Sequence, residues 1–248
     1  MLREAGCVFA DEEAGLLGGA ATSVAELDLL VSRRCAGEPL EYVLGWAAFC
    51  GLRVRVSPGV FVPRRRTEFL VDRAAALAVG VEHPVVVDLC CGSGAIGRAL
   101  AERLGGVELC ATDIDPVAVR CARGNLGERG RVFEGDLYAP LPSALRGRVD
   151  LLTANAPYVP TASIATMPRE ARLHEARATL DGGDDGLDLQ RRIAVEASAW
   201  LKPGAHLVME TSGRQADHTA EILARAGLAP VTEHSAGWDA TVVTGTRG

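Results

Sequence analysis

From residue 67 onward, two patterns of apolar and polar positions take turns. PVVVDL at 84–89, GVELCATD at 106–113, RVF at 131–133 and RVDLLTAN at 148–155 have the length and content of buried strands. The stretches between them predict helices over 94–104 and from Pro116 to about 126, the latter opened by an Asp115-Pro116 cap. A helix over 187–201 stops at Lys202-Pro203-Gly204. A strand over 205–210, a helix near 215–226 and two last strands complete the series. Alternation of this kind implies a doubly wound α/β sheet with helices on both faces. Ligands of such sheets lie at the carboxyl ends of the strands, near the switch in strand order.

Residues 1–47 follow a different pattern, that of a short helical segment. Ser23 and Glu26 have capping-box spacing, and Val24, Leu27, Leu30 and Val31 then share one face. Gly37 and Pro39 mark its end. Residues 48–62 alternate around Leu52, Val54 and Val56, and Ser57-Pro58-Gly59 offers a turn, which predicts a hairpin linker. The expected organisation is therefore 1–47 helical, 48–66 linker and 67–248 catalytic. Neither internal repeats nor low-complexity tracts interrupt it.

Composition narrows the function. With 248 residues, 48% hydrophobic and 23% charged, the chain can bury a sizeable core. A net charge of -6 works against a bulk grip on phosphate backbones. The seven cysteines contain no C-x-x-C pair, so no metal is expected, and the odd count suits a reduced, cytoplasmic chain. No apolar run approaches the roughly 20 residues of a membrane span, and the first residues lack a signal-peptide pattern.

Candidate chemistry sits at the strand ends. Asp88-Leu89-Cys90-Cys91-Gly92-Ser93-Gly94 joins a strand to a helix, and its glycines allow close backbone approach to a ligand. Gly92, Gly94 and Gly97 also satisfy G-x-G-x-x-G, which leaves NAD open at this point. Asp113, 25 residues after Asp88, can accept both hydroxyls of a ribose, a diol shared by NAD and S-adenosylmethionine. Asp136 can accept from an adenine amino group. The fourth strand discriminates. In Asn155-Ala156-Pro157-Tyr158, the Asn155 side-chain oxygen and the Ala156 carbonyl can accept two hydrogens from one NH2 group. Pro157 stiffens the loop and Tyr158 offers a flat face. A hydride-transfer site has no need of that pair.

These residues resemble the bacterial protein glutamine-N5 methyltransferases of the HemK/PrmC type, which modify the Gly-Gly-Gln loop of peptide-chain release factors. The similarity runs from about Pro39 to the end. It is carried by PLEYVLGWAAFCGLRVRVSPGVFVPRRRTEFLV, VVDLCCGSGAIGRALA, HEARATLDGGDDGLDLQRRI, LKPGAHLVMETSGRQ and DATVVTG. The resemblance implies a seven-stranded class I methyltransferase fold with S-adenosylmethionine as cofactor. It implies cofactor contacts from Asp88, Cys90, Cys91, Gly92, Ser93, Gly94, Asp113, Ile114, Asp136, Leu137 and Asn155. Catalytic roles fall to Asn155, Ala156, Pro157 and Tyr158, and substrate contacts to Arg64, Thr67, Glu68 and Tyr158. His174 and Glu175, in a long loop, line the site or lie at the surface.

The chain departs from the family pattern at several points. Ala156 replaces a proline, Cys90 a glycine and Ser212 a glycine, and Arg65 and Arg66 replace proline and glutamate. The region before residue 47 is shorter than the family's helical recognition domain. These departures describe a divergent paralogue. The expected partner is a protein substrate such as a release factor. A small-molecule acceptor is the alternative, and adenine-N6 methylation of nucleic acid a more distant one.

Overall fold

The computed structural model describes residues 1–248, apart from the side chain of Arg169. Three helices come first: α1 (Ala10–Ala20), α2 (Val24–Cys35) and α3 (Leu40–Leu44). They share a small apolar cluster of Leu2, Ala10, Leu17 and Val43, flanked by Leu27, Leu30 and Val31. The glycine-rich α1 carries no apolar periodicity that a sequence reading would detect, so only α2 was expected. Ser23 caps α2 by accepting from the Glu26 amide at 3.2 Å, but the Glu26 carboxylate bonds Thr22, not Ser23. The capping box is thus displaced by one residue on its return side.

A hairpin follows, of β1 (Trp46–Phe49) and β2 (Leu52–Arg55). Its turn is Cys50-Gly51, both at positive φ, whereas the sequence pointed to Ser57-Pro58-Gly59. Two left-handed residues match the twist of a two-residue hairpin loop. Ser57-Pro58-Gly59 does turn, with the Val60 amide donating to the Ser57 carbonyl, but no strand follows it.

The sheet contains β3 (Val85–Leu89), β4 (Glu108–Asp113), β5 (Arg131–Glu134), β6 (Val149–Ala154), β7 (Leu201–Thr211), β8 (Leu228–Ser235) and β9 (Ala240–Arg247). Strand order is β5-β4-β3-β6-β7-β9-β8, with β9 antiparallel to both neighbours. The order reverses between β3 and β6, so the loops after β3, β4, β5 and β6 open on one crevice. Every residue of β3 is buried, as a central parallel strand requires. Helices α4 (Glu68–Leu77), α5 (Ala95–Leu104) and α6 (Pro116–Leu126) cover one face. Helices α8 (Asp188–Trp200) and α9 (Ala216–Arg225) cover the other. On that second face, Tyr138 stacks on Trp200 at 5.5 Å.

β7 begins at Leu201 rather than at 205. Val149 pairs with Leu201 but Leu151 with His206, so the intervening residues bulge out of the ladder. Pro203 is tolerated there because a bulged residue donates nothing to the sheet. The short α7 (Arg169–His174) also stands where only a loop was expected.

Asn125 ties the hairpin to the catalytic sheet. Buried on α6, it accepts from the Arg55 amide at 2.9 Å and donates to the carbonyls of Arg55 and Ser93 at 2.8 Å each. Replacing Asn125 with Ala strands all three backbone groups. Urea unfolding should show a loss of about 2–4 kcal/mol. An unchanged midpoint would refute this anchoring role.

Candidate active site

The crevice is a cavity of about 350 Å³ bounded by the four strand-end loops, the segment 61–67 and residues from 167 to 192. Its floor is the turn after β3. Cys90, Gly92 and Gly94 all have positive φ, at 53°, 53° and 76°. Cys90 through Ser93 line the cavity. Two residues expected there do not. Gly94 turns into α5, where a Cβ would come within 3.1 Å of the Ala122 Cβ. Asp88 is wholly buried beneath the turn, accepting from the Thr153 hydroxyl at 2.9 Å and the Gly97 amide at 3.1 Å. Its place in β3 faces α5, so it braces the turn from below. Burial raises its pKa to about 7, with Asp113 adding a repulsion.

Asp113, at the end of β4, lines the cavity and accepts from the amides of Gly92 and Asp115 at 2.8 and 2.9 Å. A carboxylate has about four acceptor positions, so two remain for a diol. Burial raises its pKa as well. Exposed Ile114 and buried Leu137 give apolar cavity walls. Asp136 also lines the cavity, paired at 2.5 Å with Arg192 of α8, a residue the sequence did not single out. The neighbouring Thr112 hydroxyl is buried in the lining without a hydrogen-bond partner among the described residues. Free carboxylate positions, an orphaned hydroxyl, apolar walls and a glycine turn fit a positively charged adenosine derivative.

The loop after β6 forms the opposite end. Asn155 donates through Nδ2 to the Thr67 hydroxyl at 3.2 Å, which leaves Oδ1 as the free atom of the amide. The Ala156 carbonyl accepts from no group of the chain among the described residues. Behind them, Val159 donates to the Leu180 carbonyl and Gly182 to the Val159 carbonyl. Gln215 Nε2 donates to the Tyr158 and Asp185 carbonyls at 3.0 and 2.9 Å. A Cβ on Gly182 would stand 2.7 Å from the Pro157 carbonyl oxygen, and one on Gly186 only 2.3 Å from that of Tyr158. Gly182 and Gly186 of DGGDDG are therefore fixed by close packing against the Asn-Ala-Pro-Tyr loop.

The segment before α4 closes the cavity. Arg64 lines it and pairs with Glu175, a buried residue. Thr67 is buried beneath Asn155. Glu68 does not reach the cavity, because its carboxylate accepts from the Cys50 amide of the hairpin turn at 3.0 Å. His174 lies outside it too, in a second hollow beside Tyr42 and Glu38. Glu210 and Gln215 were missed by the sequence reading, and Arg66 was noted only as a departure from the family pattern. For Glu210 a signal existed: a charge that directly follows the apolar run LVM within a central strand is out of place unless it is paired.

The methyltransferase small domain family matches residues 51–187. Release factor glutamine methyltransferase of Geobacter sulfurreducens is 40% identical over 202 residues, which cover 80% of this chain and 69% of that protein. The chain belongs to the release factor glutamine methyltransferase family. The Streptomyces coelicolor member is 38% identical, over 83% of this chain and 74% of its own. The Thermus thermophilus 16S rRNA N2 G1207 methyltransferase, solved with AdoMet and guanosine, shares the fold at a TM-score of 0.58 and 19% identity. That match covers 82% of this chain and 50% of the other. The seven-stranded sheet is accordingly that of a class I S-adenosylmethionine-dependent methyltransferase. Among the described residues no helix is long and apolar enough to cross a membrane, and no group of His, Cys, Asp and Glu is arranged to hold a metal.

The buried Asp88 gives this family member a pH signature. Its folded pKa, about 7, exceeds the ordinary 3.8, so the folded state holds the proton more tightly. Its contribution to stability therefore falls as pH rises from about 4 to about 7, at up to about 1.4 kcal/mol per pH unit, and is level above. Asp88→Asn should flatten that decline in thermal unfolding followed from pH 4.5 to 8. Parallel curves for the two proteins would disprove the assignment.

Proposed function

We propose that this chain methylates the side-chain amide nitrogen of a glutamine in a peptide-chain release factor. The observation that carries this is the pair of free acceptors, Asn155 Oδ1 and the Ala156 carbonyl, at the end of the cavity opposite the carboxylates. The names of the relatives support the same acceptor. In this reading Asp113 holds the ribose hydroxyls, Asp136 the adenine amino group, and Ile114 and Leu137 flank the base. The turn Cys90–Ser93 lets the chain backbone approach the cofactor closely. Bound there, S-adenosylmethionine supplies a methyl group carried on a positively charged sulfur.

The chain's own residues act on the acceptor. An amide nitrogen is a poor nucleophile because its lone pair is delocalised into the carbonyl. Asn155 and the Ala156 carbonyl hold both N–H bonds, which fixes the direction of the nitrogen and removes much of the entropic cost of the encounter. The same two oxygens favour the positive charge that grows on that nitrogen, and they need no reorganisation to do so. Thr67 sets the Asn155 amide so that oxygen, not nitrogen, faces the cavity. Tyr158 provides an apolar wall for the glutamine side chain. Nothing in the cavity is required as a strong base, since the nitrogen loses its proton readily once alkylated.

Two variants test the two halves of the site. Asn155→Ala should lower turnover at least 100-fold on a release factor bearing a Gly-Gly-Gln loop while leaving calorimetric affinity for S-adenosylhomocysteine within about twofold. Wild-type turnover in that variant would sink the acceptor assignment. Asp113→Ala should do the reverse first, weakening S-adenosylhomocysteine by about 1–3 kcal/mol. Undiminished affinity would remove Asp113 from the cofactor site.

A further inference from the structure

Of the three consecutive arginines at the mouth, only Arg66 reaches the acceptor loop. Its Nη2 donates to the Tyr158 hydroxyl at 2.8 Å and its Nε to Glu210 Oε1 at 3.3 Å. The Tyr158 hydroxyl donates in turn to the same Glu210 oxygen at 3.0 Å. The three groups close a triangle. Glu210 is 2% exposed, and its Oε2 is buried without a partner among the described residues. A buried carboxylate is costly unless a cation is held against it, and Arg66 is the cation that reaches it here. Arg65, by contrast, stacks over Trp238 and does not line the cavity.

We propose that Arg66 is a positioning residue for the transfer: its guanidinium ties the Tyr158 hydroxyl to the buried Glu210 carboxylate and so fixes the aromatic wall beside the acceptor. This rests on the reading of Asn155 to Tyr158 as the acceptor end. Arg66 stands where the family pattern has glutamate, and the triangle it closes needs a cation at that position. A planar guanidinium fork holds both partners in a fixed geometry, whereas an ammonium is a compact charge on a flexible stem. Without the guanidinium, Tyr158 keeps its place in the cavity lining and its bond to Glu210 but loses the second of the two bonds that fix its ring.

The test has a catalytic and a spectroscopic arm. The chain has three tyrosines, so [13C]tyrosine labelling gives three ring resonances. Tyr42 and Tyr138, which bond the carbonyls of Val60 and Ile193, serve as internal controls of folding. Arg66→Ala should shift the Tyr158 resonance alone and lower kcat/KM for the Gly-Gly-Gln release factor by roughly 10–100-fold. Affinity for S-adenosylhomocysteine should stay unchanged. Arg66→Lys should fall between, and Arg65→Ala should match wild type. Combining Arg66→Ala with Tyr158→Phe should cost no more than the worse single change, because both cut the same link. Full kcat/KM in Arg66→Ala, an unmoved Tyr158 resonance or multiplicative losses in the double variant would each overturn the proposal. A wild-type chain that methylates no glutamine, with the Tyr158 shift still present, would instead overturn the acceptor reading and the role built on it.

Discussion

Two stretches of backbone lie closer together than side chains would permit, and the acceptor end of the cavity depends on that approach. Gly182 and Gly186 sit where any Cβ would collide with the Pro157 and Tyr158 carbonyls. The hydrogen bonds between Val159, Leu180 and Gly182 then follow, and Gln215 fastens the same loop from the far side. A loop held by its neighbours does not need to be stiff by itself. The brace keeps the loop in place with Ala156 at a position where the family pattern has proline. A proline would fix φ at that residue alone, whereas the braces from 180–186 and Gln215 restrict the loop on both sides of it. The carbonyl that the proposed chemistry uses is the same in either case.

The four residues Arg64 to Thr67 act as a second brace. Arg64 holds Glu175 of the segment that covers the cavity, Arg66 holds Glu210 of β7, and Thr67 orients Asn155. Glu68, the next residue, grips the Cys50 amide of the hairpin turn, while Asn125 pins the hairpin to the turn after β3 through the Ser93 carbonyl. The hairpin therefore fixes a connection between the floor of the cavity and its acceptor end. Its contribution is the relative placement of elements that are far apart in sequence.

Much of this was legible beforehand. Strand and helix rhythm placed β3 to β6 within a residue or two, because the central parallel strands β3, β4 and β6, buried on both faces, leave a simple apolar signature. The strand-end residues Asp113, Asp136 and Asn155 could be found because topology, not side-chain detail, brings strand ends together. What escaped was what depends on partners distant in sequence. Asp88 and Gly94 belong to the expected turn, yet face α5 and Ala122 rather than the cavity, and motif spacing carries no sense of inside and outside. Glu68 matches the family run, but its direction is set by the hairpin turn. Arg66 stood out only as a departure from the family run, because its partner, Glu210, lies 144 residues away. The helix α1 has no stripe to read, since three of its eleven residues are glycine and one of its buried positions is Glu13.

The charge layout finally explains how an acidic chain suits a neutral acceptor. Carboxylates outnumber cations at one end of the cavity, where Asp113 and Asp136 line it, Asp88 lies beneath and Arg192 pairs with Asp136. That end suits a cationic cofactor. At the other end, each buried carboxylate is matched by an arginine: Glu175 by Arg64 and Glu210 by Arg66. The acceptor wall is thereby left close to neutral, and its selectivity must come from directed dipoles, the Asn155 amide and the Ala156 carbonyl. A nucleic-acid substrate would call for the opposite arrangement, with arginines free to meet phosphates. Here two of the three arginines at the mouth are committed to carboxylates, and the third stacks over Trp238. A neutral side-chain amide is the acceptor that this distribution of charge accommodates.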